Sequence, residues 1–311
     1  MNQKKKHPLI VIVGPTAVGK TTVSIELAQR LEGEIVSADS RLLYRGMDIG
    51  TAKPTEEEMQ KVPHHLIDVA DPDKRWNLAI YQREAYQIID SIHDRDHLPF
   101  LVGGTGQYIR SIIEGWNIPP QRPDFAMRDV LNHWAKVIGA EGLHKRLVVL
   151  DPEAAAQIDY RNTRRVVRAL EVIFKTGERF SDLRRKQACP YDPIILGIDR
   201  SREELYERVD QRIEEMLDSG LVEEVRGLLE AGYSPDLSTM SAIGYGEIIQ
   251  YLQGEITYKE AVILIKRNTR TFVRRQANWF KPDDPRITWF IADDDLVEKM
   301  ETTIRRKLDD R

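Results

Sequence analysis

The run Gly14-Pro15-Thr16-Ala17-Val18-Gly19-Lys20-Thr21 constrains this chain more than any other feature, because it fills every fixed position of the pattern G-x-x-x-x-G-K-[ST]. Its surroundings fit too. The β-rich run Leu9–Val13 leads into Gly14, and a helical pattern runs from Gly19 to Leu31. A loop between a strand and a helix presents successive backbone N–H groups and the helix N-terminus to an anion, and its glycines let phosphate oxygens approach the backbone. Lys20 adds a mobile positive charge, and the Thr21 hydroxyl suits a Mg²⁺ ion, making Thr21 the candidate metal ligand. Gly14, Pro15, Thr16, Ala17, Val18, Gly19, Lys20 and Thr21 are the candidate phosphate-binding residues. The motif alone leaves open which phosphate compound binds.

Strands and helices alternate downstream. Glu34–Ala38, His65–Val69 and Pro99–Val102 read as strands, the last running into Gly103-Gly104-Thr105-Gly106. Thr55 and Glu58 form a capping box that starts a short helix. Asn77 caps a longer helix with an apolar face at Ile80, Tyr81, Ala85, Ile88, Ile89 and Ile92. This rhythm predicts an α/β fold with a P-loop NTPase-like parallel sheet, covered on both faces, with ligands at the carboxyl ends of its strands. It breaks at Trp116–Pro123, where three prolines intervene. Helices alone are then expected at Phe125–Ile138, Glu141–Leu147, Pro152–Ile158 and Asn162–Lys175. Strands return at Pro193–Ile198 and Ile287–Ile291, with helices over Arg202–Glu230, Gly244–Leu252 and Tyr258–Phe280. The expected organisation is a catalytic core from residues 1–115 and 190–311, with C-terminal helices, interrupted by a helical insertion domain at 116–189. A length of 311 residues accommodates both.

Composition excludes several classes. The longest apolar runs, such as Leu9–Val13, fall far short of the ~18 residues of a membrane span. The single Cys189 rules out an internal disulfide and a cysteine-cluster zinc site, and a cytoplasmic setting without membrane attachment is expected. Lys+Arg total 46 against 50 Asp+Glu, a net charge of −4 that does not announce a polyanion partner. The distribution does. Nine basic residues lie between Arg161 and Lys186 (Arg161, Arg164, Arg165, Arg168, Lys175, Arg179, Arg184, Arg185, Lys186) against three acids, Glu171, Glu178 and Asp182. Six more (Lys266, Arg267, Arg270, Arg274, Arg275, Lys281) fall between Leu264 and Lys281 with no acid, whereas Asp199–Glu230 carries −6. Such segregation focuses a field on one face while the total stays near zero. Arg161, Arg164, Arg165 and Arg168 share one helical face, suited to a phosphodiester backbone. Val166, Val167, Leu170 and Ile173 are expected to anchor that helix.

An ordinary P-loop kinase or NTPase needs an acid near its Mg²⁺, often at the end of an apolar strand. Phe100–Val102 ends instead in Gly-Gly-Thr-Gly, and the acid after a strand is Asp39. Asp39 is a candidate metal ligand, a base on a substrate hydroxyl, or a base on another nucleophile. The residues alone leave open a small-molecule or nucleoside kinase with the insertion as lid, and a nucleotide-regulated RNA-binding module. His64-His65 is expected to be structural, because adjacent strand residues point to opposite faces.

Several stretches resemble one family, the tRNA dimethylallyltransferases or isopentenyltransferases: GPTAVGKT, SADSRLLYRGMDIGTAKPT at Ser37–Thr55, HHLID at His64–Asp68 and LVGGTGQYI at Leu101–Ile109. RRVVRALE at Arg164–Glu171, AIGY at Ala242–Tyr245 and RRQANWF at Arg274–Phe280 complete the set, with departures at Ser241 and Gly246. The resemblance implies transfer of a dimethylallyl group from dimethylallyl diphosphate to N6 of the adenosine immediately 3′ of the anticodon, with Mg²⁺ as cofactor. The partner would be the anticodon stem-loop of tRNA, met by a monomer. It makes Asp39 and Thr105 the catalytic candidates, with the Thr105 hydroxyl bonded to the adenine or the donor. The tRNA-binding candidates are Asp39, Ser40, Arg41, Leu42, Thr105, Arg128, Arg164, Arg165, Arg168, Gly244, Tyr245, Arg274, Arg275 and Gln276. Trp279 and Phe280 are expected in the core.

Overall fold

The computed structural model describes residues 6–118, 124–183 and 188–310. Two compact units are present, one from Met1–Ile113 with Cys189–Arg311, the other from Glu114–Ala188. In the first unit the chain runs β1 (Pro8–Val13), α1 (Lys20–Arg30), β2 (Gly33–Ser37), α2 (Glu56–Lys61), β3 (His64–His65), α3 (Leu78–His93), β4 (Leu98–Val102) and α4 (Gly106–Ile113). The second unit holds α5 (Phe125–Leu150), α6 (Pro152–Gln157), α7 (Thr163–Thr176) and α8 (Phe180–Leu183). The first then resumes with β5 (Asp192–Asp199), α9 (Arg202–Asp218), α10 (Leu221–Glu230), α11 (Tyr245–Leu252), α12 (Tyr258–Gln276), β6 (Ile287–Ile291) and α13 (Leu296–Asp309).

All six strands pair in parallel, in the order β3-β2-β4-β1-β5-β6. Leu9–Val13 and Gly33–Ser37 are buried at every position. Because successive strand residues face opposite ways, unbroken burial requires cover on both faces, as expected for a parallel sheet. The β2-β4-β1 register places Asp39, the Gly103–Thr105 turn and the Gly14–Gly19 loop beyond three neighbouring strand ends.

Local sequence signals account for most helix starts. Thr55 and Glu58 make the reciprocal capping box, and the Asn77 side chain accepts from the N–H groups of Ala79 and Ile80. One expectation needs correction. The strand over His65–Val69 stops at His65, because Leu66 and Asp68 adopt φ of 60° and 54°, outside the extended region. The helical stretch expected over Arg202–Glu230 is filled by α9 and α10, divided at Gly220, whose left-handed φ of 100° no continuing helix has. The two helices expected at Phe125–Ile138 and Glu141–Leu147 are present as the two limbs of α5, separated at Gly139, whose φ of 76° and ψ of 162° are not helical. The three prolines at 119, 120 and 123, and Arg184, Arg185 and Lys186 of the basic run, lie outside the described residues.

The second unit has its own core, with Leu143, Leu147, Val166, Val167, Leu170 and Ile173 at its centre. Glu171 is fully buried within it. Its carboxylate accepts from the Asp124 N–H at 2.7 Å, Arg128 at 2.9 Å and Arg168 at 2.7 Å. In the first unit, Phe280 is buried and Trp279 packs against the main core, lying across Gly106. A Cβ at Gly106 would meet Trp279 Cγ at 2.2 Å, so the chain can pass there only without a side chain. Gly106→Ala should therefore cost about 1–3 kcal/mol through overpacking, read as a lower denaturant midpoint with an unchanged slope.

Candidate active site

A cavity of about 420 Å³ opens beyond the carboxyl ends of β2, β4 and β1. Thr16, Ala17, Gly19, Lys20 and Thr21 line one part of it, Asp39, Leu42, Gly103 and Gly104 another, and Thr51–Pro54 with Glu58, His64 and Ile67 a third. Arg208, Gln211, Arg212 and Glu215 of α9 close it. The P-loop and the acid after the second strand therefore share one chamber.

The loop is shaped by its own backbone and by distant parts of the chain. Gly19 precedes α1 with a left-handed φ of 104°, leaving the helix start without a side-chain cap. Lys20 Nζ donates to the carbonyls of Gly14 at 3.0 Å and Pro15 at 2.8 Å. Arg208 Nε donates to the Ala17 carbonyl at 2.8 Å and Arg200 Nε to that of Val18 at 3.2 Å. Carbonyls are thus bonded inward by cations, which suits a loop whose N–H groups serve an anion. Gln276 joins two strand ends: its Oε1 accepts the Thr16 N–H at 2.8 Å and its Nε2 donates to the Gly104 carbonyl at 3.1 Å.

Asp39 sits in a tight turn. Its Oδ1 accepts the Arg41 N–H at 2.9 Å, while its own N–H donates to Ser37 Oγ at 3.3 Å. Thr105 braces this turn from the loop after β4: its hydroxyl oxygen accepts the Ser40 N–H at 3.0 Å and its N–H donates to the Ala38 carbonyl at 3.1 Å. Among the described residues, the Thr21 hydroxyl has no protein partner. Burial pushes the Lys20 ammonium down to about 8, with Asp39 opposing the shift and Arg212 adding to it. Burial also lowers Arg212, again against Asp39. His64 is lowered by burial, against its bond to the Val62 carbonyl.

The structure revises several expected roles. Thr105 is not among the cavity-lining residues, and its hydroxyl is engaged with Ser40 rather than free for an adenine or donor. Gln276 is buried, both ends of its amide holding the two loops, so it is unavailable to a phosphodiester. Tyr245 is completely buried and donates to Glu224, and the Gly244 N–H donates to Glu247; both serve packing. The four-arginine face is also smaller than expected. Arg161 precedes the Asn162 cap of α7 and pairs with Asp159, and Arg168 is tied to Glu171. Arg128 is tied to the same carboxylate. Arg164, Arg165, Arg274 and Arg275 remain exposed. Arg41 donates to the carbonyls of Ser238 and Thr239, Leu42 lines the cavity and Ser40 lies beside it in the turn. His65 bonds Glu34, as a structural residue would; His64, by contrast, lines the cavity.

Sequence reasoning missed Arg208 and Arg212, which sit in the most acidic helical segment and so carried no basic signature. Their four-residue spacing on α9 was the available signal, since it places both on one helical face.

The sheet order and the loop after β1 define a P-loop NTPase-like α/β protein. The comparisons are more specific. The IPP transferase family matches residues 42–283 and an isopentenyl transferase family residues 7–71. A tRNA dimethylallyltransferase of Thermomicrobium roseum is 44% identical over 311 residues, covering 98% of this chain and 94% of the relative. One from a Roseiflexus species is 48% identical over 303 residues, covering 97% and 99%. The crystal structure of the tRNA isopentenylpyrophosphate transferase of Bacillus halodurans is similar, with a TM-score of 0.74 at 42% identity and 98% of each chain covered. A eukaryotic dimethylallyltransferase acting on tRNA gives a TM-score of 0.84 at 25% identity, over 98% of this chain and 80% of that one. The chain belongs to the IPP transferase family, that of the tRNA dimethylallyltransferases.

With Lys20 lowered to about 8, its charge is present below that pH and lost as pH rises through it. Inorganic diphosphate, which favours the charged form, should bind progressively more weakly above about pH 8 when titrated calorimetrically. Lys20→Arg should bind without that decline, because a guanidinium stays charged throughout.

Proposed function

We propose that this chain transfers the dimethylallyl group of dimethylallyl diphosphate to N6 of the adenosine 3′-adjacent to the anticodon of tRNA, releasing diphosphate. The observation that carries this reading is the meeting of an anion-binding loop and a carboxylate in one cavity whose remaining wall is partly apolar, with Ile35, Leu42, Ile67 and Val102. Family membership supplies the substrate class.

The donor's diphosphate takes the loop of Gly14–Gly19, where backbone N–H groups and the α1 N-terminus face it. Lys20 exchanges its carbonyl partners for phosphate oxygens, and Arg212, half-buried in the cavity wall, adds a second charge. The Thr21 hydroxyl, without a partner among the described residues, is the hard oxygen that would hold a Mg²⁺ ion at the loop. Such an ion would supply neutralising charge to the leaving diphosphate. As the allylic C–O bond breaks, the carbon forms its new bond to N6, whose lone pair is otherwise delocalised into the ring. Asp39 takes the N6 proton. Thr105 acts one step back, fixing the turn that aims Asp39. The exposed Arg164, Arg165, Arg274 and Arg275 hold the tRNA backbone, and the adenosine leaves the anticodon loop to enter the cavity.

Incubation with dimethylallyl diphosphate, Mg²⁺ and bulk tRNA should yield prenylated adenosine, detected by mass after digestion; failure with correctly folded protein would overturn the reading. Asp39→Ala should slow single-turnover transfer by roughly 10²–10⁴ with tRNA binding retained. Arg164→Ala combined with Arg165→Ala should weaken tRNA binding alike across tRNA sequences. The slope of log affinity against log salt should become shallower by about 0.7–0.9 for each phosphate that the variant no longer neutralises.

A further inference from the structure

Glu224 lies on α10, outside the cavity lining, yet four donors converge on its carboxylate. Oε2 accepts the backbone N–H of Asp48 at 2.9 Å and of Ile49 at 2.7 Å. Oε1 accepts the N–H of Gly50 at 3.2 Å and the hydroxyl of Tyr245 at 2.5 Å. Three consecutive N–H groups turned onto one anion form a nest. Removing the anion leaves part-buried donors without a partner, so the curl of the chain depends on it. Tyr245 closes the other side, since its ring lies where a Cβ on Gly50 would come within 2.5 Å.

From the nest the chain passes directly into the Thr51–Pro54 wall of the cavity. The wall's position is tied to the nest residue by residue. The Ala52 N–H donates to the Ile49 carbonyl and the Lys53 N–H to that of Asp48, both at 3.0 Å, and the Thr51 hydroxyl donates to the Met47 carbonyl at 2.7 Å. The Lys53 ammonium is taken by Asp48, Asp68 and the Tyr44 carbonyl. That leaves the wall Ala52, Pro54 and the hydrocarbon stem of Lys53 to offer a ligand.

We infer that Glu224 is a positioning residue which, through the Asp48–Gly50 nest, sets this wall and thereby the length of allylic chain the cavity accepts. The inference rests on reading the cavity as the donor site. It also gives the AIGY motif a role: Tyr245 buttresses the buttress.

The test compares wild type with Glu224→Gln, Glu224→Asp and Tyr245→Phe. Three quantities are measured: thermal midpoint, affinity for inorganic diphosphate, and kcat/KM for dimethylallyl diphosphate against geranyl diphosphate. Glu224→Gln keeps the shape but sets an amide NH₂ against backbone N–H groups. It should lower kcat/KM for the five-carbon donor by about 10- to 100-fold, mostly through KM, the effect of one or two unmet hydrogen bonds. The preference for dimethylallyl over geranyl diphosphate should shrink about tenfold, while diphosphate affinity stays within about twofold because the P-loop is braced elsewhere. Glu224→Asp should recover part of the preference. Tyr245→Phe removes one of the four bonds, so it should fold and shift the preference several-fold even if Glu224→Gln fails to fold. An unchanged preference in a folded variant overturns the inference, as does a loss of diphosphate affinity parallel to the loss of thermal midpoint. Wild type that does not bind diphosphate at all would instead overturn the donor-site reading.

Discussion

Parallel pairing of β2, β4 and β1 is the constraint on which the rest of this structure depends. Parallel strands all end at the same edge, so three segments far apart in sequence must deliver their loops to one place. The hydrogen-bonded register makes this quantitative: Ser37 lies opposite Val102, and Ile12 opposite Val102 on its other side. Asp39, Gly103 and Gly14 each come within two residues of these positions. No side chain needs to reach far, and the cavity exists because the sheet does.

Around that edge the polar groups divide into those that hold and those left to act. Thr105, Gln276, Arg208 and Glu224 all bond backbone groups of the loops they support. Lys20 is bound to carbonyls that an anion can replace, whereas the Thr21 hydroxyl lacks a partner among the described residues. Burial and the two neighbouring charges pull Lys20 in opposing directions, which leaves it charged near neutrality but sensitive to whatever enters. Held groups thus surround a small number of uncommitted ones, the arrangement a site needs if its reactive atoms are to be aimed without being consumed.

Much of this was legible in the sequence because it is local. The P-loop, the Thr55 capping box, the Asn77 cap and the unbroken apolar strands are determined by neighbours a few residues apart, and each is where the pattern puts it. The features that were not legible are set by residues distant in the chain. Arg161 and Arg168 share a helical spacing with Arg164 and Arg165, yet a loop start and a buried Glu171 give them different work. Leu66 and Asp68 read as strand residues until the chain must turn towards Leu42 and Lys53, whose bonds hold Asp68 in place. Arg208 and Arg212 were hidden by the acids around them, since charge counted along a chain says nothing of which residues face a cavity. Thr105 and Gln276 were marked out correctly as belonging near the chemistry, but only geometry separates bracing from contact.

The Gln276 amide has a consequence in time as well as in space. It ties Thr16 to α12, 260 positions later, and the Gly104 carbonyl it grips, in the turn after β4, lies 172 positions before it. Contacts so remote in sequence form late, after the loop-closure entropy has been met by the packing of intervening segments. On a ribosome, the strand and helix around the P-loop emerge well before the brace that shapes the loop, whose Gln276 lies 260 positions after Thr16. A nascent chain therefore carries its most recognisable motif before the brace that shapes it exists. The loop gains this brace only with the docking of α12, so its shape reports on the folding of a segment remote in sequence.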